Sequence, residues 1–316
     1  MKDSYEKSHN LYKYLDVEGA RKTLIGQSFL YSVPEEFNDP FDCDLKIPMT
    51  GEANDLKIFS NQISKWLSGQ SSPFNNPSDS EMKTHICNEW QRLRNLNRKE
   101  RLKELSSNKK TVEAKWINYL KKMISSQLEH YQTMSKRGRV LCLSSCNDNI
   151  LMWSHYADHH KGIVIEVQPT SKVPNLISLA QRVSYENEFP KPLSYKKFAE
   201  SWLTWDEKVI AKSSENLYKS FVLTKSNDWG YENEWRIIHS LREEDDSRCG
   251  AVLIPFKSEV IKSVYFGCRT SDLDKKSIKL ILNQMHPHVK MYEMQKSESN
   301  FSLIPKIVNC TVAAVA

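Results

Sequence analysis

The segment Tyr231-Glu232-Asn233-Glu234-Trp235-Arg236-Ile237-Ile238 sets two carboxylates and a guanidinium at alternate positions. Alternate side chains of a strand share a face, so Glu232, Glu234 and Arg236 are expected to project together, with Tyr231, Trp235 and Ile237 packing behind them. Paired carboxylates suit glycosyl-bond chemistry through an oxocarbenium-like transition state. One stabilises the developing positive charge or holds a ribose, and the other orients the nucleophile. A solvated strand face with an ion pair to Arg236 is the plainer outcome for a lone Glu-x-Glu. The flanking aromatic residues favour the functional reading, because they would fix the carboxylates on a rigid element.

A second group of reactive side chains lies in CLSSCNDNILMWSHYADHH. His155 beside Trp153 is a candidate general acid or base, and Tyr156 a candidate to stack on a flat ring. Cys142, Cys146, His155 and His159 have the end spacing of a zinc site, but the central gap is short for a zinc finger and holds the apolar run Ile150 to Trp153. Packing explains the cysteines better, and no metal is expected. Asp39, Asp42 and Asp44 would be the ligands of a metal-dependent nuclease, although they lack the order of a calcium loop and turn formation accounts for them. Neither G-x-G-x-x-G nor G-x-x-x-x-G-K-[ST] occurs, which disfavours a Rossmann dinucleotide site and a P-loop NTPase. Anion binding would then fall to Lys13, Arg236 or Arg269, or to turn amides.

The elements positioning these residues follow from local pattern. Leu11 to Leu15 reads as a strand, Glu18 to Ile25 as a helix and Ser28 to Val33 as a strand stopped by Pro34. Asn38-Asp39-Pro40 favours an Asx-type turn. Strands are expected at Val140 to Ser144, Gly162 to Val167, Glu232 to His239, Ala251 to Phe256, Ser263 to Phe266, Lys290 to Met294 and Ile304 to Val312. Helices are expected at Ile150 to Ala157, capped by Asn147 or Asp148, at Glu200 to Tyr218 and at Asp272 to Met285. Between Leu56 and Gln132 the period becomes helical, interrupted by a Ser/Pro/Asn-rich linker from Gly69 to Ser80, with an apolar stripe at Val112, Trp116, Leu120, Met123 or Ile124, Leu128 and Tyr131 that is expected to pack on the rest of the chain. The fold class is α+β: a mixed, mostly antiparallel split β-sheet core with flanking helices. Residues 1–47 and 138–316 form one domain, and 48–137 are a helical insertion.

The chain has 316 residues with a net charge of +6, and 39% of its residues are hydrophobic. That is enough to bury a full core, and the low Gly and Pro content excludes a collagenous or generally disordered polymer. No apolar run reaches about 18 residues, so a membrane span is not expected. The seven cysteines are odd in number and scattered, as thiols are in a reducing compartment, and a cytoplasmic location is expected. Residues 89–122 carry eleven basic and four acidic residues, a local charge of +7. A nucleic-acid partner would therefore be held by this stretch, for which a solvated helix is the plainer reading.

In this order, LYKY, LYSVPEEFNDPFD, CLSSCNDNILMWSHYADHHKGIVIEV and WGYENEWRII followed by FGCRTS resemble the bacterial family catalogued as domain of unknown function 2971. The layout, a strand–helix–strand unit followed far downstream by Glu-x-Glu, is more weakly similar to ADP-ribosyltransferases of the Arg-Ser-Glu type. That resemblance implies NAD as substrate, with Lys13 in the first-strand basic position, Ser32 in the serine position and Glu232 and Glu234 as the paired glutamates, Glu234 being catalytic. His155 joins the catalytic set, and Tyr156 and Arg236 join the ligand-binding set. Lys13 stands where arginine is usual and loses bidentate geometry; Ser32 stands in Tyr-Ser-Val, not in a serine triplet. The activity implied is an ADP-ribosyltransferase acting on a nucleic acid or protein, in bacterial defence or as a toxin. The alternatives are a non-catalytic nucleotide-sensing or interaction module and the metal-dependent nuclease.

Overall fold

The computed structural model describes residues 10–44, 91–107, 135–169, 176–190, 218–242 and 250–308, with positions 61, 65, 88, 118, 121, 122, 125, 129, 133, 215 and 216. Two compact units make up the chain. One comprises 1–44, 136–189 and 222–316; the other comprises 45–135 and 190–221. The second unit thus takes in 190–221 besides the stretch expected as an insertion. Most of that stretch, with its apolar stripe, and most of the helix expected from Glu200 lie outside the described residues.

The first unit is α+β. Strands β1 (Leu11–Leu15), β3 (Gly138–Ser144), β4 (Ile163–Val167), β5 (Gln181–Arg182), β8 (Glu234–Ser240), β10 (Ile261–Phe266), β11 (Lys290–Lys296) and β12 (Leu303–Ile307) form one sheet in the order β12-β11-β10-β4-β1-β3-β8-β5. Every neighbouring pair is antiparallel except β10 and β11. Two small sheets pair β2 (Ser28–Tyr31) with β9 (Val252–Pro255) and β6 (Ser184–Glu186) with β7 (Thr224–Ser226).

The main sheet is nearly parted at its middle. β1 is in register with β4 along its whole length, and β3 with β8 likewise, but β1 and β3 meet only at Tyr12 and Ser144. The Lys13 ammonium reaches across, donating to the Cys142 carbonyl at 3.1 Å. Beyond that pair β3 leaves β1, and its edge at Val140 is taken instead by Ser32 through an antiparallel bridge.

One face of the sheet packs on helices α1 (Val17–Gly26) and α4 (Asp272–Met285), which bury Ala20, Leu24, Ile278 and Leu282 against Leu141, Ile163, Ile165, Ile237 and Phe266. Asp16 caps α1 through the Gly19 amide, and Ser271 caps α4 through Asp274; such caps satisfy the orphan amides of a first turn. The other face carries helix α3 (Ile150–Tyr156), whose Met152 and Trp153 pack with Tyr14, Val164, Tyr265, Met294 and Leu303. Its cap is Asn149, not the expected Asn147 or Asp148: the Asn149 side chain accepts from Leu151 and Met152. No helix among the described residues is long and apolar enough to cross a membrane.

Candidate functional site

Where β1 and β3 part, a cavity of about 340 Å³ opens. It is lined by Lys13 from β1, Ser32 after β2, Asp42 from the following turn, His155 and Tyr156 from α3, and Lys225, Glu232 and Glu234. Tyr12, Tyr14, Phe37 and Met152 supply apolar and aromatic wall, and Asn38 and Glu36 further polar groups. Six of the seven residues that the resemblance implies as catalytic or ligand-binding, Lys13, Ser32, His155, Tyr156, Glu232 and Glu234, thus face one space. Arg236, the seventh, does not line it.

The two glutamates arrive there by a route that strand alternation does not describe. Residues Asn227–Glu232 form a 3-10 turn closed by Asn233 in the left-handed region, with φ 46°. β8 begins only at Glu234, so Glu232 belongs to the turn and not to the strand expected from Glu232 onward. Asn tolerates this conformation because its short polar side chain can bond locally, here to the Tyr231 carbonyl. The Asn233 carbonyl accepts from the Ser145 amide at 3.0 Å, and the Ser144 hydroxyl donates to the Glu232 carbonyl at 2.6 Å. These bonds tie the turn to the end of β3 and aim both carboxylates into the cavity.

Beneath the cavity lies a closed charge network. Arg236 donates through Nε to Glu234 Oε1 at 2.8 Å and through Nη2 to Oε2 at 2.9 Å. Its outer edge grips Asp42, with Nη1 to Oδ1 at 2.8 Å and Nη2 to Oδ2 at 2.6 Å, and Nη1 also reaches the Val222 carbonyl. Lys225 donates to Glu232 Oε2 at 2.6 Å and stands 3.4 Å from both Glu234 and Asp42. The Tyr156 hydroxyl donates to Glu232 Oε1 at 2.5 Å and accepts from Asn38. Three carboxylates thus face two strong cations, an arrangement tolerable in a buried place only when each ion is paired and hydrogen-bonded.

The electrostatic consequences differ between the two glutamates. Burial alone would push Glu234 up, but the Arg236 charge and hydrogen bonds, helped by Lys225, override it and hold the carboxyl at about 2. Burial dominates at Glu232, where Lys225 offsets it only in part and the Glu234 charge adds to it, so its pKa is raised. Burial works against the Lys225 ammonium, yet Glu234, Glu232 and Asp42 together keep it protonated above the ordinary range. At Lys13 burial prevails over the Glu234 charge and lowers the pKa. Tyr156 is raised by burial and then by Glu232. A carboxyl held strongly ionised therefore stands beside one whose pKa is raised, the kind of divergence that marks acid–base sites.

His155 sits at the mouth, exposed, with its ring near Tyr156 and Tyr231. No carboxylate among the described residues orients it, unlike a histidine in a catalytic relay. Arg236, expected to hold a ligand, is wholly buried and engaged with protein groups, so its role is to position Glu234 and Asp42. Asp42 is committed to that guanidinium, and Asp39 accepts from the Phe41 amide in the expected Asx turn. Cys142 and Cys146 are free thiols, and among the described residues no group of three His, Cys, Asp or Glu side chains is arranged to hold a metal ion. Lys225, Asn38, Phe37 and Tyr185, whose hydroxyl accepts from the Glu234 amide, were not singled out from sequence. A lysine inside the β-prone run Phe221-Val222-Leu223-Thr224-Lys225 was the available signal for a buried cation.

In the second unit, the described part of the basic stretch is already partly neutralised. Arg92 pairs with Glu104 at 2.7 Å, and Arg101 donates to the Leu93, Arg94 and Leu96 carbonyls ahead of helix α2 (Arg98–Ser107).

The family model described as Protein of unknown function (DUF2971) matches residues 152–237. This segment includes WSHYADHHKGIVIEV and WGYENEWRI and carries His155, Tyr156, Lys225, Glu232, Glu234 and Arg236; Lys13, Ser32 and Asp42 fall before it. No curated protein and no solved structure matches the chain.

Proposed function

We propose that the cavity between β1 and β3 binds the nicotinamide–ribose end of NAD and that the chain is an ADP-ribosyltransferase-like enzyme. The observation that supports this reading is the meeting of Lys13, Ser32, Glu232 and Glu234 on one cavity at the split of the sheet. The volume is near the small end of ligand pockets, which span about 300–1,000 Å³. It suits a nucleoside-sized moiety more than a whole dinucleotide. Tyr12, Phe37 and Tyr156 offer flat surfaces to a nicotinamide ring, and Lys13 offers an ammonium to the neighbouring phosphate.

In the reaction, the bond from the ribose anomeric carbon to nicotinamide breaks, and its electron pair leaves with the base, quenching the pyridinium charge. An acceptor oxygen or nitrogen bonds to that carbon and loses its proton to Glu232. Glu234, kept ionised by Arg236 behind it, presents a fixed negative charge to the developing oxocarbenium ion, where preorganised charge acts most strongly. The resemblance made Glu234 catalytic; the proton-transfer role goes to Glu232 because its carboxyl is the raised one. The basic stretch 89–122 makes a nucleic acid the acceptor class to try first.

A second reading has its own support. Both Glu232 oxygens and both Glu234 oxygens already hold donors, as in a rigid recognition site that binds a nucleotide without cleaving it. Incubation with NAD separates the two: the enzyme releases nicotinamide and loses this with Glu232→Gln, whereas the sensor binds NAD or ADP-ribose and releases none. A metal-dependent nuclease has less behind it, since Arg236 occupies both oxygens of Asp42.

A further inference from the structure

A second cavity, of about 480 Å³, adjoins α3 near Ile150, while Met152, His155 and Tyr156 of the same helix face the first. Ile150, Leu303 and Phe301 give it apolar walls, and Phe301, in the turn between β11 and β12, is fully exposed. Arg269 and Lys296 stand on its rim without an acidic partner among the described residues. Single exposed apolar or basic residues are commonplace, but cations flanking an apolar recess form a combination that recognises an anion attached to a ring.

The wall formed by His160 is built at a cost. Asp158, His159 and His160 all lie in the left-handed region, with φ 43°, 52° and 70°, a conformation that Asp tolerates but that is unfavourable for the two histidines. Such strain persists where the surroundings over-determine it and clusters at ligand sites. Here the His159 and His160 amides bond to the Ser154 and Trp153 carbonyls, and the Gly162 amide to Ala157. Gly267 approaches so closely that an added Cβ would lie 2.1 Å from the His160 carbonyl oxygen. His160 itself stacks on Trp153, and its Nδ1 is shut from solvent with no hydrogen-bond partner among the described residues.

We infer that this second cavity binds a phosphate-bearing ring of the nucleoside monophosphate class, its phosphate between Arg269 and Lys296 and its ring on Phe301 against Ile150 and Leu303. Glu298, the carboxylate in the lining, accepts from ribose hydroxyls. The site uses none of the residues of the first cavity, so it stands whether or not NAD is the ligand there.

The test is titration of the full chain with AMP, followed by the His160 imidazole resonances, with adenosine and inorganic phosphate as comparators. Saturable shifts of His160 by AMP are expected, with adenosine and phosphate each weaker. Reversing charge at both rim positions (R269E with K296E) weakens AMP by on the order of tenfold or more per cation. Both side chains are exposed, so the variant keeps its fold, which circular dichroism verifies. E232Q leaves AMP binding unchanged. The inference is overturned if AMP gives no saturable shift, if R269E with K296E binds as well as the wild type, or if E232Q alone abolishes binding, which would place AMP in the first cavity.

Discussion

Glu234, which lines the cavity, and Arg236 behind it stand two residues apart on β8 and meet in a two-pronged ion pair of 2.8 and 2.9 Å, both residues buried. Residues i and i+2 of a strand share a face, so the pairing is local. Its third member, Asp42, comes from far along the chain, and the guanidinium is thereby the rivet joining the turn before residue 45 to β8. Removing one partner of such a network leaves an uncompensated buried charge, at about 3–5 kcal/mol. Arg236→Met is expected to lower stability by that order in chemical denaturation, and Arg236→Lys to recover only part, lacking the fork that holds both carboxylates.

The acid limb of stability has a defined contributor. Glu234 titrates at about 2 in the fold against an ordinary 4.5. Because the folded value is depressed, the stabilisation is fully present above about 4.5 and is lost as pH falls toward 2. Glu234→Gln is expected to be destabilised at neutral pH, with the loss narrowing as the solution is acidified through that window. Glu232 is shifted the other way, so its ionisation opposes folding, and Glu232→Gln is expected to be far milder at neutral pH. Thermal melts of both variants at pH 7 and near pH 3 check the contrast; equal losses at pH 7 would refute it.

Asn233 sets the aim of both glutamates through its left-handed backbone. Asn233→Gly is expected to be close to neutral in stability, whereas Asn233→Val should cost about 1–2 kcal/mol and weaken ligand binding at the first cavity. Melting temperature and NAD affinity, measured together on the two variants, check this.

Two glycines permit close backbone approach at the edge of α3. A Cβ on Gly162 would lie 2.2 Å from the Leu15 carbonyl oxygen, and one on Gly267 would meet the His160 carbonyl. Neither contact relaxes by rotating a side chain. Gly162→Ala and Gly267→Ala are each expected to cost at least the roughly 1–3 kcal/mol of core overpacking, read by denaturant titration. Gly267→Ala should also displace the His160 resonances.

Much of the frame could be read from sequence. β1 and α4 have the expected bounds, and β3, β4 and β10 deviate by a residue or two, since alternation and capping residues are local signals. The gathering of Lys13, Ser32, Tyr156 and the glutamates could be anticipated only through a resemblance, because no local pattern tells that β1 and β3 part after one pair. Alternation assigns Glu232 to a strand because it cannot register a left-handed residue at 233. The partners that govern the chemistry were hidden for the same reason. Arg236 lies 194 positions from Asp42, and Lys225 reaches Glu232 from a short strand of a separate sheet.

The most direct measurement of the central claim is nicotinamide release from NAD by the full chain, with Glu232→Gln and Glu234→Gln alongside. The account predicts measurable release by the wild type, reduced by on the order of a hundredfold or more in Glu232→Gln, as for loss of a general base, and reduced also in Glu234→Gln while that variant remains folded. No release by a folded wild type that binds NAD, or undiminished release by Glu232→Gln, would contradict it.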